Sequence, residues 1–248
     1  MSPSKTPKGH AHPLSLMIRE INGIFSELGF SFAEGPEAES EWYNFDALNV
    51  PSDHPARDVQ DTFFFEKSVG TDKNRREVLR TQTSPVQIRY MEKHGAPTKI
   101  IVPGKVFRNE ATDATHEAQF FQVEGLWVDK GITMGHLKGT LQYFFEKFFG
   151  GEIETRLRPS FFPFTEPSVE VAVKIDGDPK TNKLVGRWIE LMGAGMVHPN
   201  VLKNAGIDPT KYQGFAFGIG VDRLAILKYG IDDVRLSYGG DLRFVNQF

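Results

Sequence analysis

The sequence contains no cysteine among its 248 residues. This absence excludes disulfide bonds, thiolate catalysis and zinc or iron–sulfur sites held by cysteine. No apolar run approaches the roughly 18 residues that a membrane-spanning helix needs, so no membrane partner is expected. Acidic side chains slightly outnumber basic ones, 32 against 29, which excludes a generally basic surface for nucleic acid. Any contact with RNA is therefore expected to be local.

Several common catalytic motifs are also missing. The sequence has no G-x-x-x-x-G-K-[ST] phosphate loop, no G-x-S-x-G elbow and no HExxH spacing among its 7 histidines. Gly218 and Gly220 do not continue as a dinucleotide fingerprint, because Arg223 stands where the third glycine is required. These absences disfavour the common NTPases, serine hydrolases, metalloproteases and dinucleotide-dependent dehydrogenases.

The chain is expected to fold as one catalytic domain over residues 14–248, preceded by a flexible tail over residues 1–13. The tail lacks both the apolar stretch of a signal peptide and the arginines of a transit peptide, and the expected location is therefore cytoplasmic. Apolar spacing and turn residues predict helices over 14–28, 84–93, 133–149 and 221–229. Strands are predicted over 61–65, 99–108, 118–128, 153–158, 168–175, 187–192 and 214–220.

Strands outnumber helices and often follow one another directly, which favours an α+β fold. We expect an antiparallel sheet with helices packed on one side, and not alternating βαβ units.

One predicted hairpin gathers polar side chains on one face. Arg108 and Glu110 alternate onto one side of the first strand, and Phe120, Gln122 and Glu124 share a side of the next. Arginine suits phosphate, a carboxylate suits an ammonium group, and an aromatic ring can stack on a base. The alternative is a solvated sheet face carrying an ion pair.

The segment 214–221 separates large from small side chains. Phe215, Phe217, Ile219 and Val221 alternate with small residues, so one side of the strand is predicted to be core and the other nearly bare: Gly214, Ala216, Gly218 and Gly220. A bare strand lets a ligand approach the backbone. Arg223 can project over it from the following helix. Close packing of helix on strand is the alternative.

Two further segments add candidate groups. Phe162, Phe164 and Glu166 alternate onto one side of an extended segment, where the two rings form either an aromatic pocket or ordinary core. Glu190 lies inside an apolar strand, where a carboxylate requires a cation, either a metal or an arginine.

These segments, in order, resemble the three motifs of class II aminoacyl-tRNA synthetases. The matching residues run from Leu28-Gly29-Phe30 to Gly35-Pro36-Glu37, from Phe107-Arg108-Asn109-Glu110 to Phe120–Glu124, and from Gly218 to Arg223. Further runs are similar to the alpha subunit of bacterial phenylalanyl-tRNA synthetases: 44–49, 54–57, 80–84, 162–167 and 195–199. The resemblance covers about residues 9–248. Asp222 is a departure, because glutamate is common there in the class.

The resemblance implies a class II catalytic fold and two half-reactions. Phenylalanine attacks the α-phosphate of ATP to give phenylalanyl-adenylate and pyrophosphate, and the aminoacyl group then moves to tRNA-Phe. The implied partners are a beta subunit, or a second copy of the chain bound through the motif-one helix. The chain is expected to be a catalytic core without the N-terminal helical arm of the family, either a minimal natural form or an engineered one.

The resemblance also assigns roles to the candidate residues. Arg108 would hold the α-phosphate, Arg223 the γ-phosphate and His116 the outer phosphates. The implied adenine and ATP contacts also include Glu110, Phe120 and Gly220. The implied phenylalanine site comprises Ser84, Gln87, Gln122, Glu124, Phe162, Phe164, Ala216 and Gly218. Mg²⁺ would be held by Glu190 or Glu166.

Two alternatives stay open at this stage. One is a related enzyme that adenylates an amino acid without charging tRNA. The other is a non-catalytic binding module with a synthetase-like fold, for which both phosphate arginines would be unnecessary.

Overall fold

The computed structural model describes residues 9–58, 61–66, 76–175 and 186–248. Its centre is a seven-stranded sheet in the order β1-β4-β5-β9-β8-β7-β6. Strand β1 pairs with β4 in parallel, and every other pairing in this sheet is antiparallel. The strands are β1 (Ser31–Phe32), β4 (Thr98–Phe107), β5 (Gln119–Asp129), β6 (Glu154–Phe162), β7 (Thr165–Lys174), β8 (Trp188–Val197) and β9 (Gln213–Gly220). The antiparallel α+β prediction is confirmed.

A second, two-stranded sheet pairs β2 (Ala38–Ser40) with β3 (Glu77–Leu79). The predicted strand over 61–65 is wrong: there, Phe64 forms an isolated bridge to Val78. Because β3 has only 3 residues, it has too few backbone groups to pair with a strand over the whole of 61–65.

The helices are α1 (Pro13–Glu27), α2 (Glu41–Asn44), α3 (Ser84–His94), α4 (Met134–Phe149), α5 (Pro199–Asn204), α6 (Val221–Tyr229) and α7 (Leu242–Val245). The four predicted helices are confirmed as α1, α3, α4 and α6. Helix α1 ends where Gly29 adopts a positive φ of 79°, a conformation that glycine reaches without strain. No helix in the described ranges is long and apolar enough to cross a bilayer.

Helices cover both faces of the sheet, which corrects the expectation that they lie on one side. On one face, α1, α4 and α6 bury an aromatic-rich core that includes Phe25, Phe144 and Phe217. On the other face, α3 and α5 pack over Ile100 and Val102. The reason is that side chains alternate along β4. Ile101 points into the core under α1, α4 and α6, and its neighbours Ile100 and Val102 point to the opposite face.

The described part of the expected N-terminal tail contacts the rest of the chain. The His12 ring accepts from the Leu14 N–H at the start of α1, and its Nε2 lies 2.9 Å from the Ser237 carbonyl oxygen. His10 Nδ1 lies 3.2 Å from the Phe248 carbonyl oxygen. The charge-rich sequence of residues 70–77 predicts a loop; residues 70–75 of it, and residues 1–8 of the expected tail, lie outside the described residues.

Candidate active site

Two cavities lie side by side against the sheet, and the side chain of Arg108 lines both. The first cavity, of about 200 Å³, lies over β5, β8 and β9. The second, of about 320 Å³, lies between the end of the β4–β5 hairpin and the start of α6. The structure thus brings together residues that the sequence separates by more than one hundred positions.

A buried carboxylate anchors the first cavity. Glu124 is 4% exposed and accepts hydrogen bonds from Ser84 Oγ at 2.6 Å and Gln87 Nε2 at 2.8 Å. The backbone N–H of Thr83 donates to its other oxygen. Burial raises the pKa of Glu124 to about 7, while the hydrogen bonds from Ser84 and Thr83 oppose the shift. Polar groups from α3 and β5 therefore converge on one point, as expected.

Small residues on β9 make room for this polar cluster. A Cβ atom at Gly218 would lie 2.8 Å from Gln122 Nε2 and 3.1 Å from Glu124 Cγ. Gln122 Oε1 is buried and has no hydrogen-bond partner within the structure. The cavity is therefore lined at this end by a side-chain amide and a carboxylate, which suits a ligand that carries N–H donors.

Two parallel rings form the aromatic wall of the first cavity. The rings of Phe162 and Phe164 stack with centroids 5.9 Å apart and an interplanar angle of 3°. Phe162 ends β6 and Phe164 lies in the turn before β7, so the expectation of one extended segment through Phe162, Phe164 and Glu166 is wrong. Gly193 permits this arrangement, because a Cβ atom there would lie 2.8 Å from the Phe162 ring.

Ala216 lines the same cavity on β9. The neighbouring large residues of this strand, Phe215 and Phe217, are buried in the core on the other face. The predicted separation of large from small side chains is confirmed in this strand. The cavity therefore has an apolar end, formed by Ala216 and the two stacked rings, and a polar end at Glu124.

The second cavity contains an arginine beside an aromatic ring. The Arg108 guanidinium carbon lies 5.1 Å from the centroid of the Phe120 ring. Strand β4 ends at Phe107, which corrects the expectation that Arg108 and Glu110 lie on the strand. The Arg108 N–H still donates to the Ala118 carbonyl, and the chain opens into a loop beyond it. Glu110 and His116 line the cavity from this loop.

A second guanidinium enters the cavity from α6. Arg223 Nε donates to the Glu190 carbonyl oxygen at 3.0 Å, so this side chain reaches from the first turn of α6 to β8. Gly220, which also lines the cavity, lies at the end of β9. The expected projection over the bare strand is present, and Arg108 and Arg223 line one cavity together.

His116 lies in an exposed turn held by Asp113. The His116 N–H donates to Asp113 Oδ1 at 2.8 Å, and its ring Nδ1 lies 3.1 Å from the same carboxylate. Hydrogen bonds from the Thr115 backbone and hydroxyl keep the pKa of Asp113 below its usual range. The Asp113 carboxylate thus fixes the position of the His116 ring at the edge of the second cavity.

The two carboxylates suggested for a metal lie apart. Glu190 is exposed and forms an ion pair with Arg158 at 3.5 Å. Glu190 on β8 lies opposite Ala172 on β7. Glu166 precedes Ala172 by six positions on β7, so Glu166 and Glu190 are separated by about 20 Å along the strands. Glu166 lines a third cavity with Met196. Within the described ranges, no group of three or more His, Asp or Glu side chains could hold a metal ion.

Sequence reasoning missed two buried charged groups next to the site. Arg80 donates to the Lys105 and Gly35 carbonyls, and its charge lies close enough to Glu124 to lower the pKa of that carboxyl. Asp222 lines the second cavity and accepts from the Phe121 N–H. The signal available at Asp222 was a carboxylate in the first turn of a helix that directly follows an apolar strand.

The fold is that of a class II aminoacyl-tRNA synthetase core. Residues 1–248 match the family described as tRNA synthetases class II core domain (F), and the chain belongs to that family. A solved pyrrolysyl-tRNA synthetase from Desulfitobacterium hafniense shares the fold, with a TM-score of 0.69 at 17% identity, over 94% of this chain and 75% of that one. The class II resemblance is thereby confirmed.

More similar relatives carry one particular name, phenylalanine–tRNA ligase alpha subunit. The protein of that name from Caldanaerobacter subterraneus subsp. tengcongensis is 56% identical over 243 residues, covering 97% of this chain and 69% of the relative. Those from Bacillus subtilis and Halalkalibacterium halodurans are 56% and 57% identical, each over 97% of this chain and 69% of the relative. The resemblance to bacterial alpha subunits is confirmed.

Proposed function

We propose that this chain activates L-phenylalanine with ATP and, together with a beta subunit, transfers the aminoacyl group to tRNA-Phe. The observation that carries the proposal is the pair of adjoining cavities with Arg108 between them. One cavity is apolar at one end and carries a buried carboxylate at the other. The other cavity presents two guanidinium groups and an aromatic ring, which suit a nucleoside triphosphate.

The first cavity suits phenylalanine in one orientation. Glu124 would accept from the ammonium group, and Gln122, Ser84 and Gln87 would complete the polar end. The benzyl group would lie between the Phe162–Phe164 wall and Ala216, with Gly218 leaving room for the backbone of the amino acid. The substrate carboxylate would then point toward Arg108.

The second cavity suits ATP. Phe120 would stack on the adenine, and Glu110 would contact its edge. Arg108 would hold the α-phosphate, while Arg223 and His116 would meet the outer phosphates beside Gly220. Arginine binds phosphate oxygens in pairs and keeps its charge at every working pH, so the triphosphate would be neutralised along its length.

In the activation step, an oxygen of the phenylalanine carboxylate attacks the α-phosphorus. The new C–O–P bond forms while the bond to the bridging oxygen breaks, and pyrophosphate leaves with that electron pair. The attacking group is already ionised, so positioning and charge neutralisation supply the catalysis and no general base is needed. Arg108, which lines both cavities, would neutralise the charge that develops on the α-phosphoryl oxygens.

The donor set near Arg223 fits one Mg²⁺ ion. Magnesium prefers one or two carboxylates together with substrate phosphates, and Glu190, whose backbone carbonyl accepts from Arg223, would supply one carboxylate. The weak, exposed ion pair with Arg158 leaves that carboxylate available. When bound, the ion would neutralise phosphate charge.

The surface of α1 disfavours a homodimer formed through this helix. Its apolar residues, including Met17, Ile21 and Phe25, are buried within the chain's own core. The outward stripe is small or polar: Ser15, Arg19, Gly23 and Ser26. A stable dimer interface on this helix would need apolar area that the fold has already used.

Phenylalanine-dependent exchange of pyrophosphate into ATP tests the activation step. We expect exchange by the purified chain, alone or with the beta subunit of a bacterial relative, and its loss in Arg108→Ala. The matched control is Arg243→Ala, because the side chain of Arg243 is 91% exposed. Absence of exchange even with the beta subunit would contradict the proposal and favour a binding module.

Charging of tRNA-Phe distinguishes the proposed ligase from an enzyme that adenylates an amino acid without charging tRNA. We expect phenylalanyl-tRNA to form when the beta subunit is present. Exchange activity without any charging under those conditions would instead indicate an enzyme that passes its adenylate to another acceptor.

A further inference from the structure

A hydrogen-bonded pair, the buried Asp222 that lines the second cavity and the half-buried Tyr238, has no part in the reaction proposed above. Tyr238 Oη donates to Asp222 Oδ1 at 2.6 Å, and the backbone N–H of Phe121 donates to Asp222 Oδ2 at 2.8 Å. The carboxylate is 6% exposed, and both of its oxygens are occupied. Burial raises the pKa of Asp222 and that of Tyr238.

Asp222 connects the two elements that face each other across the nucleotide cavity. It immediately precedes Arg223 at the start of α6, and the Phe121 N–H that it accepts immediately follows Phe120 on β5. Phe120 and Arg223 both line the cavity. One carboxylate therefore sets the spacing between the ring proposed to stack on adenine and the guanidinium proposed to meet the γ-phosphate.

Tyr238 connects this carboxylate to a third part of the site. It lies at the end of residues 231–238, which we call the closing segment. In that segment, the Val234 N–H donates to the Ala114 carbonyl at 2.9 Å, which holds the loop that carries His116. Val234 itself lines the second cavity. The closing segment thus bridges the His116 loop and the start of α6.

The role of the Tyr238 hydroxyl can be separated from that of its ring. The ring packs against the core formed by α1, α4 and α6. Phenylalanine would keep this packing and remove the donor, because the two side chains differ by one oxygen atom. Asp222 would then lose one of its partners while remaining buried, which costs free energy and frees the carboxylate to move.

We propose that Tyr238 is a positioning residue for the nucleotide site: through Asp222, its hydroxyl holds Arg223, Phe120 and the His116 loop at the spacing that a bound triphosphate requires. The inference rests on the proposed use of this cavity for ATP. It assigns no contact between Tyr238 and the nucleotide, and it predicts an effect confined to that half of the site.

The test measures Tyr238→Phe by pyrophosphate exchange, together with equilibrium binding of a non-hydrolysable ATP analogue to the full chain. Loss of a hydrogen bond to a charged group predicts that the KM for ATP rises about tenfold. The KM for phenylalanine should change less than about twofold, because the first cavity shares no lining residue with the pair. The matched control is Tyr229→Phe, at the other end of α6, which should change neither value.

A double-mutant cycle with Asp222→Asn tests whether Tyr238 acts through Asp222. The effects of Tyr238→Phe and Asp222→Asn on ATP affinity should not add, because both changes disrupt the same hydrogen bond between the Tyr238 hydroxyl and the Asp222 carboxylate. Additive effects, equal rises in both KM values, or a lowered melting temperature with both KM values unchanged would each overturn the inference. Absence of exchange with analogue binding intact would instead count against the proposed function alone, since the binding arm still tests Tyr238.

Discussion

At the scale of single residues, the site is governed by one buried carboxylate. Glu124 collects hydrogen bonds from Thr83, Ser84 and Gln87, and yet burial still raises its pKa to about 7. Desolvation of the charged form therefore outweighs the hydrogen bonds and the nearby arginines. Such a group is ready to pair with an ammonium ion, because a bound cation restores the favourable environment that burial removed.

The raised pKa of Glu124 predicts a specific pH dependence. In the folded chain the carboxyl binds its proton up to about pH 7, whereas an ordinary glutamate releases it near 4.5. The folded state therefore holds the extra proton, and its stability falls as pH rises between these values, by about 3 kcal/mol at most. Urea unfolding from pH 4.5 to 7.5 should show this decline in the parent and not in Glu124→Gln.

Phenylalanine binding should change in the opposite direction. The KM for phenylalanine should fall as pH rises through about 7, because the ionised carboxylate attracts the ammonium group. Identical pH profiles of stability and KM in the parent and in Glu124→Gln would contradict the assignment.

Ala216 is expected to set the size limit of the first cavity. Ala216→Gly removes the methyl group at the apolar end, so we expect the variant to activate p-chlorophenylalanine, measured by pyrophosphate exchange with each amino acid. The control is Ala172→Gly, which removes a buried methyl group on β7 outside the cavity. Activation no better than that of the parent would contradict the prediction.

At the scale of elements, strand β9 separates the core from the site. Phe215, Phe217 and Ile219 pack beneath it, while Ala216 and Gly218 leave the other face open to ligand. The period of two residues in a strand makes this division possible within a single segment. The helix that follows then returns Arg223 over the bare face toward Glu190.

Gly218→Ala should damage substrate binding more than folding. The added Cβ would lie 2.8 Å from Gln122 Nε2, so the amide must move away from its position at the polar end. We expect the KM for phenylalanine to rise about tenfold or more. Gly139→Ala is the control, because its Cβ would meet nothing within 4 Å on an exposed face of α4. Equal KM values for the two variants would refute the argument.

At the scale of the whole molecule, aromatic packing joins the helices to the sheet beneath the site. Phe25 of α1 stacks on Phe144 of α4 at 4.9 Å and on Phe217 of β9 at 5.3 Å. Phe217 also borders the first cavity. The helical layer and the first cavity therefore share one buried residue.

Phe25→Ala should destabilise the whole fold. Removing a fully buried ring at the junction of three elements should lower the free energy of unfolding by about 3–5 kcal/mol, measured by denaturant unfolding. Phe161→Ala is the matched control, since that ring is 74% exposed and should change stability by less than about 0.5 kcal/mol. Similar losses in the two variants would show that Phe25 does not have the proposed role.

Local sequence patterns determined most of the secondary structure. The apolar spacing of α1 and the division of large and small residues in β9 were readable because each depends on neighbours within one element. The prediction of a strand over 61–65 was wrong because pairing there depends on another segment. Its partner β3 has only 3 residues, and the pairing is limited to one bridge.

The assembly of the site was decided by tertiary structure. The stacking of Phe162 on Phe164 depends on a turn, whereas the alternation of side chains applies only to an extended strand. The reach of Arg223 to the Glu190 carbonyl, and the bonds of Asp222 to Phe121 and Tyr238, join segments distant in sequence. A sequence fixes which face of its own element a side chain occupies, whereas strand order and register decide which faces meet.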